Sequence, residues 1–206
     1  MKKAKFFLDF EKEEKWLNKM EQNGYSFEKK SFLFYYFKKT NASNRIIKID
    51  YRRFKHYKDF ADYISMFEDS GWKHISGTKS SGTQYFRLMA TEKNEDIFSD
   101  VRSRAGRYKR ISDMWLSCEL FFVAMFIILA SQGMVEIKDL LFPKEWYLTP
   151  GLWELEGFSF AWAFLFETPF AVFRGCSWLF CIIFAILYGI FAIKSLLTYR
   201  KSVREE

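Results

Sequence analysis

Hydrophobic and polar positions divide the chain near residue 112. Before it, apolar residues recur at strand or helix spacing among charges; after it, they gather into long runs either side of a charged connection. Lys5–Phe10 (KFFLDF) reads as a short strand. Over Glu11–Asn23, Trp16, Leu17 and Met20 share one face of an otherwise charged helix, and Gly24 suits the left-handed residue that closes it. Tyr25–Lys39, rich in aromatic residues, predicts a β-hairpin. Asn44–Arg53 (NRIIKIDYRR) alternates as a strand does. His56–Ser70 predicts a second helix through Phe60, Tyr63, Ile64 and Phe67, closed by Gly71, and Trp72–Ala90 a second hairpin turning at Gly77–Gly82.

The order strand–helix–strand–strand therefore occurs twice, the pattern of an internal duplication. One such unit cannot bury its helix face alone. Two units sharing one antiparallel-type sheet, with both helices on one face, make an α+β domain over residues 1–94. A cleft between the units is a common place for a ligand. A ferredoxin-like order of the same strands fits the pattern as well. Between Glu95 and Asp113, Ile97, Val101, Ala105, Tyr108 and Ile111 predict an amphipathic linker helix leading into the apolar half, its basic groups placed to meet anionic lipid.

The apolar half contains two 19-residue runs. Met114–Gln132 carries one charge, Glu119, and Gly175–Ile193 carries none. Each spans roughly 28 Å as a helix, about one hydrocarbon core. They predict transmembrane helices over 114–133 and 175–196, with an intervening loop over 134–174 and a tail over 197–206. Arg102, Arg104, Arg107, Lys109 and Arg110 precede the first run, and Lys194, Arg200, Lys201 and Arg204 follow the second. The connection holds three basic residues against six acidic ones. The positive-inside rule then puts both termini in the cytoplasm of a multi-pass cell-membrane protein. Phe158–Phe173 is apolar but interrupted by Glu167 and Pro169; it reads as interfacial or re-entrant, with a third crossing as the alternative.

Charge sharpens this division. Residues 1–112 hold 25 basic and 15 acidic side chains, whereas residues 113–206 hold 7 and 10. The basic half lacks any recognition-helix or RNA-binding signature, so nucleic acid is not expected as a partner. Cys118, Cys176 and Cys181 all lie in apolar stretches and read as small apolar filler, not as a disulfide framework or metal site. No phosphate-cradling loop, nucleophile elbow or paired zinc histidines occur, and no cofactor is expected. His56 and His74 read as surface residues near element boundaries. Asp9, Glu11, Glu13 and Glu14 suit the first turn of a helix, where carboxylates complement its dipole. Glu119 and Glu167 are candidate membrane-embedded acids, since a carboxylate in an apolar span is costly and often functional. Trp16, Tyr25, Tyr35, Tyr51, Trp72 and Tyr85 are candidate ligand-binding residues, because rings with a polar tip suit a small-molecule cleft. The same rings also suit a small aromatic core.

The stretches KFFLDFEKEEKWLNKMEQNGYSFEK, NRIIKIDYRR, FEDSGWKHISG and TQYFR, with the Gly24-Tyr25 and Gly71-Trp72 turns and Trp16-Leu17, resemble a family of Firmicute membrane proteins. Its members join a cytoplasmic domain of unknown function to paired membrane spans, and their genes often sit beside PadR-like regulators. The resemblance is close over residues 3–110 and implies no catalytic residues. More distantly, the doubled element order is similar to GyrI-like modules, which bind amphipathic drugs between two copies. The expectation is a membrane-anchored regulatory or sensory accessory protein, not an enzyme. Its expected partners are the lipid bilayer, a cytosolic regulator protein and further copies of itself. Alternatives are a tethered domain that binds amphipathic small molecules and a subunit of a transport complex.

Overall fold

The computed structural model describes residues 1–42, 45–89, 96–135 and 142–204. They fall into two compact units, Met1–Asp113 with Phe191–Glu206, and Met114–Ile190. The first unit is α+β. Strand β1 (Lys2–Ala4) precedes helix α1 (Phe10–Gln22) and strands β2 (Tyr25–Ser31), β3 (Phe34–Lys39) and β4 (Ile47–Tyr51). Helix α2 (Tyr57–Asp69) and strands β5 (Trp72–Ser76) and β6 (Thr83–Leu88) follow. The expected starts at Asn44 and Glu95 and the end at Ala90 lie outside the described residues.

The first strand is displaced from its expected position at Lys5–Phe10. Asp9 explains why: its carboxylate accepts from the backbone N–H of Glu11 at 2.9 Å and Lys12 at 3.3 Å. A side-chain cap at Asp9 starts the helix there, so Phe10 opens α1 and buries its ring. Gly24 closes the helix at φ +79°, and a Cβ there would stand 2.8 Å from the Thr40 carbonyl oxygen.

The strands form two antiparallel three-stranded sheets, ordered β1-β3-β2 and β4-β6-β5, where one shared sheet was expected. Both sheets break register in their last strand, β2 between Phe27 and Lys29 and β5 between His74 and Ser76. An irregularity of this kind twists a strand and interrupts its ladder. The two edges therefore meet through a side chain: Lys30 N–H donates to Ser76 Oγ at 3.1 Å. The core is aromatic. Phe60, Tyr63, Phe67, Trp72 and Phe86 form one cluster, and Phe27 lies 5.0 Å from Tyr85 between ring centroids.

Helix α3 runs from Val101 to Ser131 without a break. Its start is fixed by Asp100, which accepts from Ser103 N–H at 2.7 Å, so Ile97 precedes the helix. Helix α4 runs from Gly157 to Arg204, about 72 Å at the usual rise. Both are long and apolar enough to cross a membrane. Phe158–Phe173 is the first part of α4, continuous with the charge-free run Gly175–Ile193. Pro169 removes one backbone bond from a long run, and the apolar sequence on both sides favours the one structure that satisfies its own polar groups.

Candidate functional site

Helix α1 buries more than its apolar residues. Its inner face consists of Phe10, Glu13, Glu14, Leu17, Met20 and Glu21, so three carboxylates share the helical stripe with the hydrophobes. A buried carboxylate is tolerable only when paired and hydrogen-bonded, and each is met by a cation from another element. Tyr35 and Tyr85 hydroxyls both donate to Glu13 Oε1 at 2.6 Å, and Lys30 Nζ lies 3.0 Å from the same oxygen. Burial, and next the Glu13 charge, push both phenols far above the ordinary tyrosine range. Glu21 accepts from Arg87 at 2.7 Å and from Phe27 N–H at 2.9 Å.

Glu14 is tied to helix α3. Arg107 is 1% exposed and donates to Glu14 at 2.5 Å and to the Ile49 carbonyl at 2.6 Å. Three residues on, Arg110 donates to Asp50 at 2.6 Å and also to the Tyr51 carbonyl. Tyr108 donates to Asp9 at 3.1 Å, and Arg104 pairs with Asp96. The basic residues expected to face lipid are thus in part turned inward. The reason is spacing: Arg104, Arg107 and Arg110 recur at three residues and flank the stripe of Ala105, Tyr108 and Ile111 that packs on the domain.

Beside these pairs is an open cavity of about 700 Å³. Asp50, 3% exposed, lies at its wall and accepts from Tyr63 hydroxyl at 2.8 Å and Tyr51 N–H at 2.7 Å. Burial first, then the Asp50 charge, drive the Tyr63 hydroxyl above its usual range. Phe67 and Trp72 line one side. Ile97, Phe98, Ser103 and Arg110 bring in the segment before α3 and the helix itself. The arrangement offers a fixed carboxylate, a guanidinium and aromatic walls, suited to an amphipathic ligand with a charged end.

Of the six aromatic candidates, Trp72 lines this cavity. Trp16 packs edge-on against Tyr35 at 4.9 Å, Tyr35 and Tyr85 share Glu13, and Tyr51 packs on Phe10 at 6.3 Å. Tyr25 is half-buried at the start of β2. Tyr35, Tyr51, Trp72 and Tyr85 are core residues, and the six are not gathered round one cleft. His74 is not the surface residue expected: it is half-buried between Phe60 and Phe86, with Nε2 3.0 Å from Gln84. Desolvation lowers its pKa. His56 is exposed before α2.

In the second unit, Glu167 accepts from the backbone N–H groups of Leu148 and Thr149 and pairs with Arg174 at 3.3 Å. It pins the connecting segment onto α4. Glu119 abuts Gly189, where an added Cβ would meet its carboxylate oxygen at 2.9 Å. Cys118, Cys176 and Cys181 are free thiols. Among the described residues no group of three or more His, Cys, Asp or Glu is placed to hold a metal ion.

The residues that dominate this region, Glu13, Glu14, Asp50, Arg107 and Arg110, were not singled out as a site by sequence. The available signal was positional: Glu13, Glu14 and Glu21 stand at three-, four- and eleven-residue offsets from Phe10, on the same stripe as Leu17. A profile described as "Protein of unknown function (DUF2812)" matches residues 9–120. That stretch includes both acidic stripe and paired arginines. No curated protein and no solved structure matches the chain.

Proposed function

The chain belongs to the DUF2812 family, and on that premise we propose that it is a membrane-anchored regulatory or sensory accessory protein of a bacterial cytoplasmic membrane, acting without catalysis. In this reading both termini are cytoplasmic, and α3 and α4 carry the two spans. The observation that carries the proposal is Arg110. It belongs to α3, which continues into the apolar run Met114–Ser131, yet its guanidinium holds Asp50 at the wall of the cavity. A ligand competing for Asp50 changes what holds the start of α3, and coupling of this kind needs a ligand that distinguishes the two arrangements. A cationic amphiphile fits the aromatic walls and the carboxylate. The partner receiving the signal is a cytosolic regulator, of the PadR-like kind suggested by the family resemblance.

The test is calorimetric titration of the full chain in detergent micelles with a panel of cationic amphiphiles, followed by capture of the regulator with and without compound. Saturable binding lost in Asp50→Asn, and regulator capture that changes with occupancy, support the proposal. Binding that is unsaturable or unaffected by Asp50→Asn refutes the ligand, and turnover that scales with purified protein refutes the non-catalytic role.

A further inference from the structure

The two hairpins of the first unit end in opposite chemistry. The β5–β6 turn reads Gly77-Thr-Lys-Ser-Ser-Gly82, polar throughout, whereas the β2–β3 turn reads Ser31-Phe-Leu-Phe34. Phe32 is 85% exposed and sits at φ +53°. A bulky side chain in the left-handed region is strained, and here no burial offsets the strain. A turn selected for folding alone would carry Gly, Asn or Asp at that position. Leu33 and Phe34 are exposed as well.

This tip has a specific neighbourhood. The Lys5 N–H donates to the Leu33 carbonyl at 3.0 Å, which sets Phe6 beside the turn. Phe6 is itself 54% exposed, and its ring centroid lies 6.2 Å from that of Phe191. Phe191 belongs to the last turn of the charge-free run Gly175–Ile193. At the same level of α4, Ser112 donates to the Ala192 carbonyl at 2.9 Å, two residues before α3 enters its own apolar run. The apolar tip is therefore joined through Lys5 and Phe6 to α4 at Phe191, one residue from the Ala192 carbonyl that takes Ser112. Near it Lys2, Lys5 and Lys29 are exposed beside one carboxylate, Glu28, while Lys30 is paired with Glu13 and Lys38 and Lys39 stand at the far end of β3. Lys2 stands over the Phe34 ring at 3.7 Å and Lys29 over the Tyr36 ring at 5.2 Å, so cations and aromatic rings alternate on this face.

The geometry points to a third membrane contact: the β2–β3 tip, Phe32 and Leu33 foremost, dips into the cytoplasmic leaflet while Lys2, Lys5 and Lys29 bind anionic headgroups. Aromatic residues settle at the headgroup level, and basic residues near an anionic surface each add attraction within a Debye length. The inference rests on membrane anchoring through α4. It adds that the soluble unit is held against the bilayer by its own hairpin, so that its orientation depends on lipid charge.

The experiment uses the full chain in proteoliposomes, with Cys118, Cys176 and Cys181 replaced by Ala and a single environment-sensitive fluorophore attached in turn at Phe32→Cys, Ser80→Cys or Ile183→Cys. The vesicles are phosphatidylcholine with or without phosphatidylglycerol, with brominated lipid as membrane quencher and iodide as aqueous quencher. Position 183, exposed on α4, reports anchoring; position 80, on the polar turn, reports solvent. The expected result is that the probe at 32 is quenched by brominated lipid and shielded from iodide, while the probe at 80 behaves oppositely. In Lys2→Gln, Lys5→Gln and Lys29→Gln, the insertion constant in anionic vesicles falls roughly fivefold per lysine. Bromolipid quenching at 183 but not at 32 overturns the tip contact and leaves anchoring intact; absence of quenching at 183 overturns anchoring itself. A probe at 32 shielded from iodide yet untouched by brominated lipid shows protein covering the tip and also overturns the proposal. Insertion that ignores phosphatidylglycerol removes the role of the lysines.

Discussion

Replacing Arg107 by Met tests whether the ion pairs, and not apolar packing alone, hold the start of α3 to the folded unit. The substitution keeps an unbranched apolar stem but removes the guanidinium and its charge. Glu14, 5% exposed, then loses its closest partner at 2.5 Å, and the Ile49 carbonyl loses a donor at 2.6 Å. Breaking a buried pair by removing one member costs about 3–5 kcal/mol. Lys48, 3.6 Å from the other Glu14 oxygen, and the Ile49 N–H at 3.1 Å remain, which puts the expectation at the lower end, about 3 kcal/mol. At about 1.4 kcal/mol per tenfold, amide exchange from the global or subglobal opening of α1 and β4 should accelerate by roughly two orders of magnitude. The assay is hydrogen exchange with peptide-level mass spectrometry on the full chain in micelles, where α1 and β4 peptides report separately from the apolar helices. Glu14→Gln with Arg107→Met removes both charges while keeping an acceptor for Ile49 N–H, so it should recover on the order of 2 kcal/mol relative to the sum of the single changes. Exchange in Arg107→Met within threefold of wild type, or strictly additive single and double variants, would refute the reasoning.

Further outcomes follow from individual environments. Burial lowers the folded-state proton affinity of His74, so the unfolded chain takes up the proton first and the histidine's contribution is lost as pH falls below roughly 6.5; His74→Phe should flatten the stability–pH curve between pH 7 and 5, read by urea titration in micelles. Gly24→Val combines a left-handed backbone with a Cβ contact of 2.8 Å to Thr40 and should cost at least about 1–2 kcal/mol, seen as faster exchange at the α1 C-terminus; an unchanged rate would rule out the cap. Phe32→Gly should stabilise the hairpin by about 0.5–1 kcal/mol, the relieved strain less the greater entropy of glycine, measured as slower exchange of the Phe34–Lys39 amides. A loss of protection there would mean that Phe32 contributes to folding.

Much of the architecture was written in local pattern. Helices α1 and α2 and both hairpins follow from periodicity and from Gly24 and Gly71, and the two apolar helices from the length of their uncharged runs, because those signals are local; that the second helix already begins at Gly157 was not read. The first strand was misplaced because Asp9 has two readings: polar residue of an alternating strand, or helix cap. Only its oxygen on the N–H groups of Glu11 and Lys12 chooses between them. The split into two sheets was likewise invisible, since it arises from register breaks at Phe27/Lys29 and His74/Ser76 that depend on the strand opposite. The candidate site was the least legible part. A glutamate at position 13 or 14 favours the first turn of any helix, exposed or buried. Burial is decided by partners 17 to 93 residues away: Lys30, Tyr35, Tyr85 and Arg107. Composition set the charges and the apolar runs; the tertiary structure decided which charges meet, because an ion pair in a dry interior forms only where chain topology brings both ends together.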